Sequence, residues 1–384
     1  MGQHAILSPS KSSMWLNCTP SARLGEQFET GSEAADEGTL AHKLSEVLLL
    51  YDLGRITKTQ RIKKVEAIQR NKHYTASMME HCSQFAAYVI EQYNEMEERH
   101  GNAMIFLEIE LDLSSYIPEG FGTGDVIIVA GNILQIIDLK YGKGVFVEVK
   151  DNTQMMIYAL GAMEYVQVLA DDIKDIYMTI YQPRLDNIAS SNITVKGLLT
   201  WAKETLMPKA KLAFAGKGKR VSGSHCTFCP VKATCKAHAN YNLELTRETF
   251  DEPQELSDED LVEIYLRAKQ MRAWLTAVEE FMLDKAVRGK KWKGLKLVHG
   301  RSVRILTNPA AILKILKAKK LPSNLYLSEP QLLGITALET NIGASEFTKI
   351  AGKYIVKPKG KPSLVHADRK GQEYSPANSA KDVF

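Results

Sequence analysis

Residues 125–140 of this 384-residue chain read DVIIVAGNILQIIDLK. Two short β-branched runs, Asp125–Ala130 and Ile133–Leu139, meet at Gly131-Asn132, which reads as two strands joined by a tight hairpin turn. A third run, Met104–Leu113, and a fourth, Ile176–Tyr181, have the same character, and Val145–Val149 adds a candidate edge strand. Helical periodicity surrounds these runs. Ser8-Pro9-Ser10 opens a short helix that stops near Cys18, before Pro20. Thr39–Tyr51, one or two helices within Glu66–Glu98, Thr153–Leu169 and Val195–Phe214 follow. Helices flanking a small mixed sheet predict an α/β core.

Acids stand at both open ends of the hairpin. The start of its first strand lies beside the end of its second, so Asp125 and Asp138 converge. Residues i and i+2 of a strand share a face, which points Asp138 and Lys140 the same way and sends Leu139 into the core. Two carboxylates can hold a hard divalent cation such as Mg²⁺ or Mn²⁺, and a lysine beside them can orient a nucleophile or neutralise developing charge. That is the chemistry of phosphodiester hydrolysis. An isolated D-x-K is more often a surface ion pair, so its company matters. Gln154 and Tyr158 lie four apart, on one face of the next helix. His42 sits on an apolar helix, as a core histidine or a third metal ligand. Glu108 and Glu110 alternate with apolar residues before Asp125, and Glu110 is the expected metal-facing acid.

Five cysteines stand at 18, 82, 226, 229 and 235. An odd count and an N-terminus without signal architecture predict a reduced, cytoplasmic setting, and no run is long enough to span a bilayer. Three of the five fall within ten residues, the spacing of a metal site. By spacing alone the group suits zinc or iron–sulfur, with His225 and His238 as substitute ligands. Cys82, among Met78, Met79 and Phe85, reads as a buried core thiol. The net charge of +4 says little, but its distribution says more. Lys209–Arg220 holds five Lys/Arg and Lys285–Arg304 holds eight, neither with an acid. Such blocks suit a phosphate backbone or a solvated face.

Taken in order, Gly38-x-x-x-His42, Glu110, Gly122-x-Gly-Asp125, Asp138-x-Lys140 and Gln154-x-x-x-Tyr158 resemble the RecB-like branch of the PD-(D/E)XK nucleases. Cys18 with Cys226-x₂-Cys229-x₅-Cys235 resembles its iron–sulfur subset, which includes the AddB nuclease domain and the CRISPR-associated adaptation nucleases. The likeness covers about residues 8–238. It implies a restriction-endonuclease-like core, with His42, Asp125, Asp138 and the Leu139 carbonyl on Mg²⁺ or Mn²⁺ and Glu110 as a further member. Lys140 would be the catalytic lysine, and Gln154 and Tyr158 would contact DNA. The four cysteines would hold a [4Fe–4S] cluster, with Zn²⁺ the alternative. Helicase motifs are missing, so the likeness is to stand-alone phage and prophage nucleases of recombination.

The expected organisation is a nuclease domain over 1–240, a mainly helical accessory region over 241–355 and a polar tail over 356–384. The accessory region would contain a helix over Asp258–Val287 capped by Ser257, a hairpin over Trp292–Leu306 and short helices near 309–319 and 328–337. Function is expected to be metal-dependent exonucleolytic digestion of linear DNA in a bacterial host cytoplasm. A phage single-strand binding or annealing protein is a candidate partner, and a homo-oligomer a candidate assembly. The competing reading is a non-catalytic DNA-binding or scaffolding protein stapled by its cysteines.

Overall fold

The computed structural model describes residues 5–26, 33–142, 144–167, 172–244 and 258–295. It divides into two compact units, Met1–Val278 and Glu279–Phe384. The first holds a five-stranded mixed sheet flanked by helices. A 3-10 turn (Pro9–Lys11) leads into α1 (Ser12–Asn17) and α2 (Ser21–Leu24), followed by α3 (Glu33–Asp52), α4 (Lys58–Gln69) and α5 (Ala76–His100). Then come β1 (Met104–Asp112), β2 (Phe121–Ala130), β3 (Ile133–Leu139), α6 (Thr153–Val166), β4 (Asp175–Gln182) and β5 (Asn187–Thr194). The strands lie in sequence order; β1/β2, β2/β3 and β4/β5 are antiparallel, whereas β3/β4 are parallel. A parallel pair needs a crossover, and α6 supplies it.

The sheet is buried on both faces, which is why its central strands read as nearly unbroken apolar runs. Along β3, Leu134 and Ile136 pack with α6 and α1, while Ile137 and Leu139 pack with α3 and α5. Ala130 pairs with Ile133 across the turn at Gly131-Asn132, as the hairpin signal predicts. Gly161 lets α6 lie close on β1, since a Cβ there would stand 3.0 Å from Leu111 Cβ.

Several expectations change. Val145–Val149 is not a strand: the Gln182 side chain accepts from Val147 N (2.9 Å) and donates to Val145 O (3.0 Å), replacing ladder bonds. β5 was not expected, because NIASSNIT is polar and lines an edge on which half-buried and exposed residues alternate. The helix expected over Val195–Phe214 runs as α7 (Val195–Trp201), a π-helical turn (Ala202–Leu206) and α8 (Met207–Phe214). Pro208 near the start of α8 cannot donate to the preceding turn, which accounts for the wide segment. After it come a 3-10 turn (Ser224–Phe228), α9 (Lys236–Glu244), not expected from sequence, and α10 (Asp258–Val287), as expected.

In the second unit the Trp292 indole donates to Met282 O at 3.0 Å. Residues 296–306 of the expected hairpin, the helices expected near 309–319 and 328–337 and the expected 356–384 tail lie outside the described residues, as does Ser257. No helix among the described residues is long and apolar enough to cross a membrane.

Candidate active site

The open end of the β2–β3 hairpin is where polar side chains enter an otherwise apolar sheet. The Leu139 N–H donates to Asp125 Oδ2 at 2.8 Å, which ties the end of β3 to the middle of β2. Asp125 Oδ1 faces Nδ1 of His42 on α3 at 3.2 Å, and the same nitrogen lies 3.7 Å from Glu108 Oε1 on β1. His42, Glu108 and Asp125 offer ligand atoms all within 4.8 Å of one another, the one such group among the described residues. Leu139, Glu46 and Phe85 help enclose the space beside them, which has room for about 10 Å³, roughly one water or monatomic ion.

Asp138 and Lys140 lie beside this group, toward α6. Asp138 is 3% exposed; Lys140 Nζ hydrogen-bonds its Oδ1 at 3.1 Å and lies 2.9 Å from Oδ2, off the line of a hydrogen bond. Oδ2 is therefore buried with a cation beside it and no hydrogen-bond donor. Gln154 Nε2 reaches Asp138 Oδ1 at 3.4 Å and the Tyr158 hydroxyl at 3.2 Å. Asn152 fixes the start of α6 by accepting from Gln154 N and Met155 N. Gly122 on β2 makes room for the Tyr158 ring, since a Cβ there would meet Tyr158 Cε1 at 3.0 Å and Pro9 Cγ at 2.9 Å.

Burial opposes charge on His42, but Asp125, Glu108 and Asp138 outweigh it and raise the imidazole well above its usual 6.5. Burial likewise raises Asp125, yet His42, Lys140 and the Leu139 N–H bring its carboxyl below the usual range. For Asp138 burial wins: despite Lys140, the carboxyl is raised, with Asp125 adding to the shift. Glu108 is also raised by burial. Three carboxylates face one lysine and one histidine, an excess of acid that a divalent cation would balance. Oxygen and imidazole donors are the right types for it.

Glu108, not Glu110, is the acid that joins this group; Glu110 is exposed. The reason is a break in strand parity. Ile105 and Leu107 face α5, whereas Leu111, which would share their side in an even strand, packs under α6. The switch occurs at Glu108, whose φ is +48°, a left-handed conformation costing about 1–3 kcal/mol for a non-glycine residue. Glu108 stands opposite Asp125, between the pairs Leu107–Val126 and Ile109–Gly124. Nothing in the sequence signals the break. Leu139 enters the site through its N–H.

Cys18 caps the end of α1, and Cys226, Cys229 and Cys235 lie around the 3-10 turn and the start of α9. All five cysteines are free thiols. The four share a neighbourhood, since Cys226, Cys18 and Cys235 all act electrostatically on Cys229, but their sulfurs do not converge as closely as the His42 group. His225 bonds to Cys18 and Cys226 and is raised to about 10. Although burial opposes it, Cys226 falls to about 5 under His225 and His238. The segments around residues 19–23 and 214–217 are also joined by Thr19 Oγ1 donating to Lys217 O and Arg23 Nε to Phe214 O, both at 2.6 Å. Cys82 is buried between α3 and α5, its thiol pushed up to about 11, as a core residue should be.

A solved structure described as "Crystal structure of SSO0001" is similar over 59% of this chain and 96% of that chain, at 12% identity and a TM-score of 0.24. A likeness at that score bears on neither fold nor function. A family model does match, over residues 4–372. By that match the chain belongs to the family described as "Protein of unknown function (DUF2800)".

Proposed function

We propose that this chain is a metal-dependent DNA nuclease with a restriction-endonuclease-like core of the PD-(D/E)XK type. The observation that carries the reading is the gathering of Asp125, Asp138 and Lys140 at one end of the sheet, with His42 and Glu108 beside them. His42, Glu108 and Asp125 would hold Mg²⁺ or Mn²⁺, with Asp138 and the Leu139 carbonyl as candidate further ligands. A cation held there would polarise a phosphate and acidify a bound water. Lys140 would orient the attacking water and neutralise charge on the phosphorane oxygens. Burial, with Asp138 and Asp125 nearby, pushes the Tyr158 hydroxyl far above its usual range, so it keeps its proton and can donate to a phosphate or leaving strand. Gln154 offers a second neutral donor. The four thiols have the right chemistry for a [4Fe–4S] cluster, or alternatively for Zn²⁺, and Cys226 at about 5 is poised to bind metal as a thiolate.

The biological reading is digestion of linear DNA ends for recombination in a bacterial cytoplasm, beside a single-strand binding or annealing protein. The test is incubation of purified protein with linear and covalently closed DNA, in Mn²⁺ or in EDTA. Linear DNA should be degraded only with Mn²⁺ while the closed circle survives. Failure to cut any DNA with Mg²⁺ or Mn²⁺ would overturn the nuclease reading, and rapid linearisation of the circle would make it an endonuclease.

A further inference from the structure

From Thr205 to Leu243 the chain runs 39 residues with seven Lys/Arg and no Asp or Glu. With 45 acids in 384 residues, a stretch of that length would ordinarily hold four or five. The segment includes the end of the π-turn, α8, the exposed loop Lys217–Val221, the cysteine group and α9. Lys217, Lys219 and Arg220 all lie on the surface.

Within this segment stands Phe228. At 72% exposure it is the most exposed large hydrophobic side chain among the described residues. It is also held firmly. Cys226 N bonds to Gly223 O at 3.0 Å and Cys229 N to Cys226 O at 3.1 Å. Thr227 Oγ1 donates to Ser224 O at 2.7 Å, and Lys232 Nζ donates to Thr227 O at 2.6 Å, which sets an ammonium next to the ring's own turn. A rigid, outward-facing aromatic beside an ammonium, in a segment that carries no acid of its own, is what binds an unstacked base on a phosphate strand. Duplex DNA keeps its bases stacked and would use the cations alone.

The platform is close to the candidate active site. At the first turn of α1, Ser12 Oγ meets Thr153 Oγ1 at 2.7 Å, next to Gln154. At its other end Cys18 contacts His225, three residues from Phe228. Six helical residues rise about 9 Å, a span that one short single strand can cover. Lys11, Ser13 and Asn17 are exposed along the way.

We infer that Phe228, within the acid-free segment 205–243, is a base-stacking platform that binds single-stranded DNA beside the active site. The inference rests on the nuclease reading for its choice of DNA, but binding and cutting are separable. Labelled single-stranded dT20 and a hairpin duplex are titrated with full-length protein in EDTA, followed by anisotropy, while cleavage is assayed separately in Mn²⁺. Phe228→Ala should weaken dT20 binding at least about five-fold, within the range for loss of one stacked base, and leave the duplex within two-fold. Phe228→Trp should keep the affinity and add a dT20-dependent quench of tryptophan fluorescence that wild type lacks. Lys219→Ala/Arg220→Ala should flatten the salt dependence of dT20 binding, by about 0.7 in slope per charge. Phe228→Ala binding dT20 as wild type does, or Phe228→Trp showing no added quench, would overturn the platform. Equal losses on dT20 and duplex would overturn its single-strand selectivity. Selective dT20 binding in a protein that cuts no DNA would sink the nuclease reading and leave the platform standing.

Discussion

The amide of Leu139 donates to Oδ2 of Asp125 at 2.8 Å, so the peptide that separates Asp138 from Lys140 is the one that positions the other aspartate. The two motifs are one rigid unit. Oδ1 of Asp125 is left to face His42 at 3.2 Å, while Asp138 and Lys140 hold each other beside it at 2.9 Å.

Asp138→Asn and Lys140→Ala should each lower metal-dependent cleavage by about 100-fold or more, the scale for removing one preorganised electrostatic group. Circular dichroism and DNA binding should stay close to wild type. Purified Asp138→Asn protein that cuts at a near-normal rate would reject the assignment. Asp125→Ala differs because it also strips the Leu139 amide and His42 of their acceptor. It should cost about 1–3 kcal/mol of stability, read as a lower chemical-denaturation midpoint.

Glu108 and Glu110 form a matched pair for testing which acid meets the metal. Glu108→Gln should weaken Mn²⁺ binding about ten-fold or more and reduce cleavage with it. Glu110→Gln, at an exposed position, should leave both unchanged. Isothermal titration with Mn²⁺ decides between them: equal effects, or a larger effect at 110, would contradict the parity break at Glu108.

Tyr158→Phe removes one neutral donor and should cost less than about ten-fold in rate. Gly122→Ala should cost more although it deletes nothing. Its Cβ would stand 3.0 Å from the Tyr158 ring and 2.9 Å from Pro9, and close packing leaves neither much room to yield. A Gly122→Ala enzyme as active as wild type would show that the Tyr158 ring position is not critical.

How much of this was readable in advance depended on whether a signal was local. The hairpin at 131–132 and the end of β3 carrying Asp138 were, because β-branched runs and a two-residue turn report on themselves; β2 starts at Phe121 and not at Asp125, since FGTG carries no β-branched run to announce it. β5 was not: its alternation of Ile and Ala with Ser and Asn is weak, and pairing with β4 makes it a strand. Val145–Val149 looked like a strand, yet the Gln182 side chain takes its backbone groups. Even alternation puts Glu108 and Glu110 on one face and cannot choose between them, whereas the one left-handed residue at 108 reverses the face that follows it and separates the two. Phe228 carried no signal, since exposure of an aromatic between two cysteines depends on how the 3-10 turn is held.

The cysteine group should act as a staple more than as a reactant. Cys18 and Cys226 are 208 positions apart, and the cost of closing a loop in the unfolded chain grows with the logarithm of its length. Ligand bonds that keep such a loop closed therefore favour the folded state. Two hydrogen bonds already join the same segments, from Thr19 and Arg23 to Lys217 and Phe214, and a metal would reinforce a junction that exists. Cys18→Ser or Cys229→Ser should thus lower solubility and thermal stability first, by about 2–4 °C for each kcal/mol lost in a unit of this size, with cleavage falling in parallel. Cys82→Ala, in the α3–α5 core, should keep the metal content of wild type. Wild-type protein purified without oxygen should be brown and carry about four irons per chain. Colourless protein with one stoichiometric zinc would change the identity of the metal and keep the staple. A metal-free Cys229→Ser protein with wild-type melting temperature and full activity would show that the junction holds without ligand bonds.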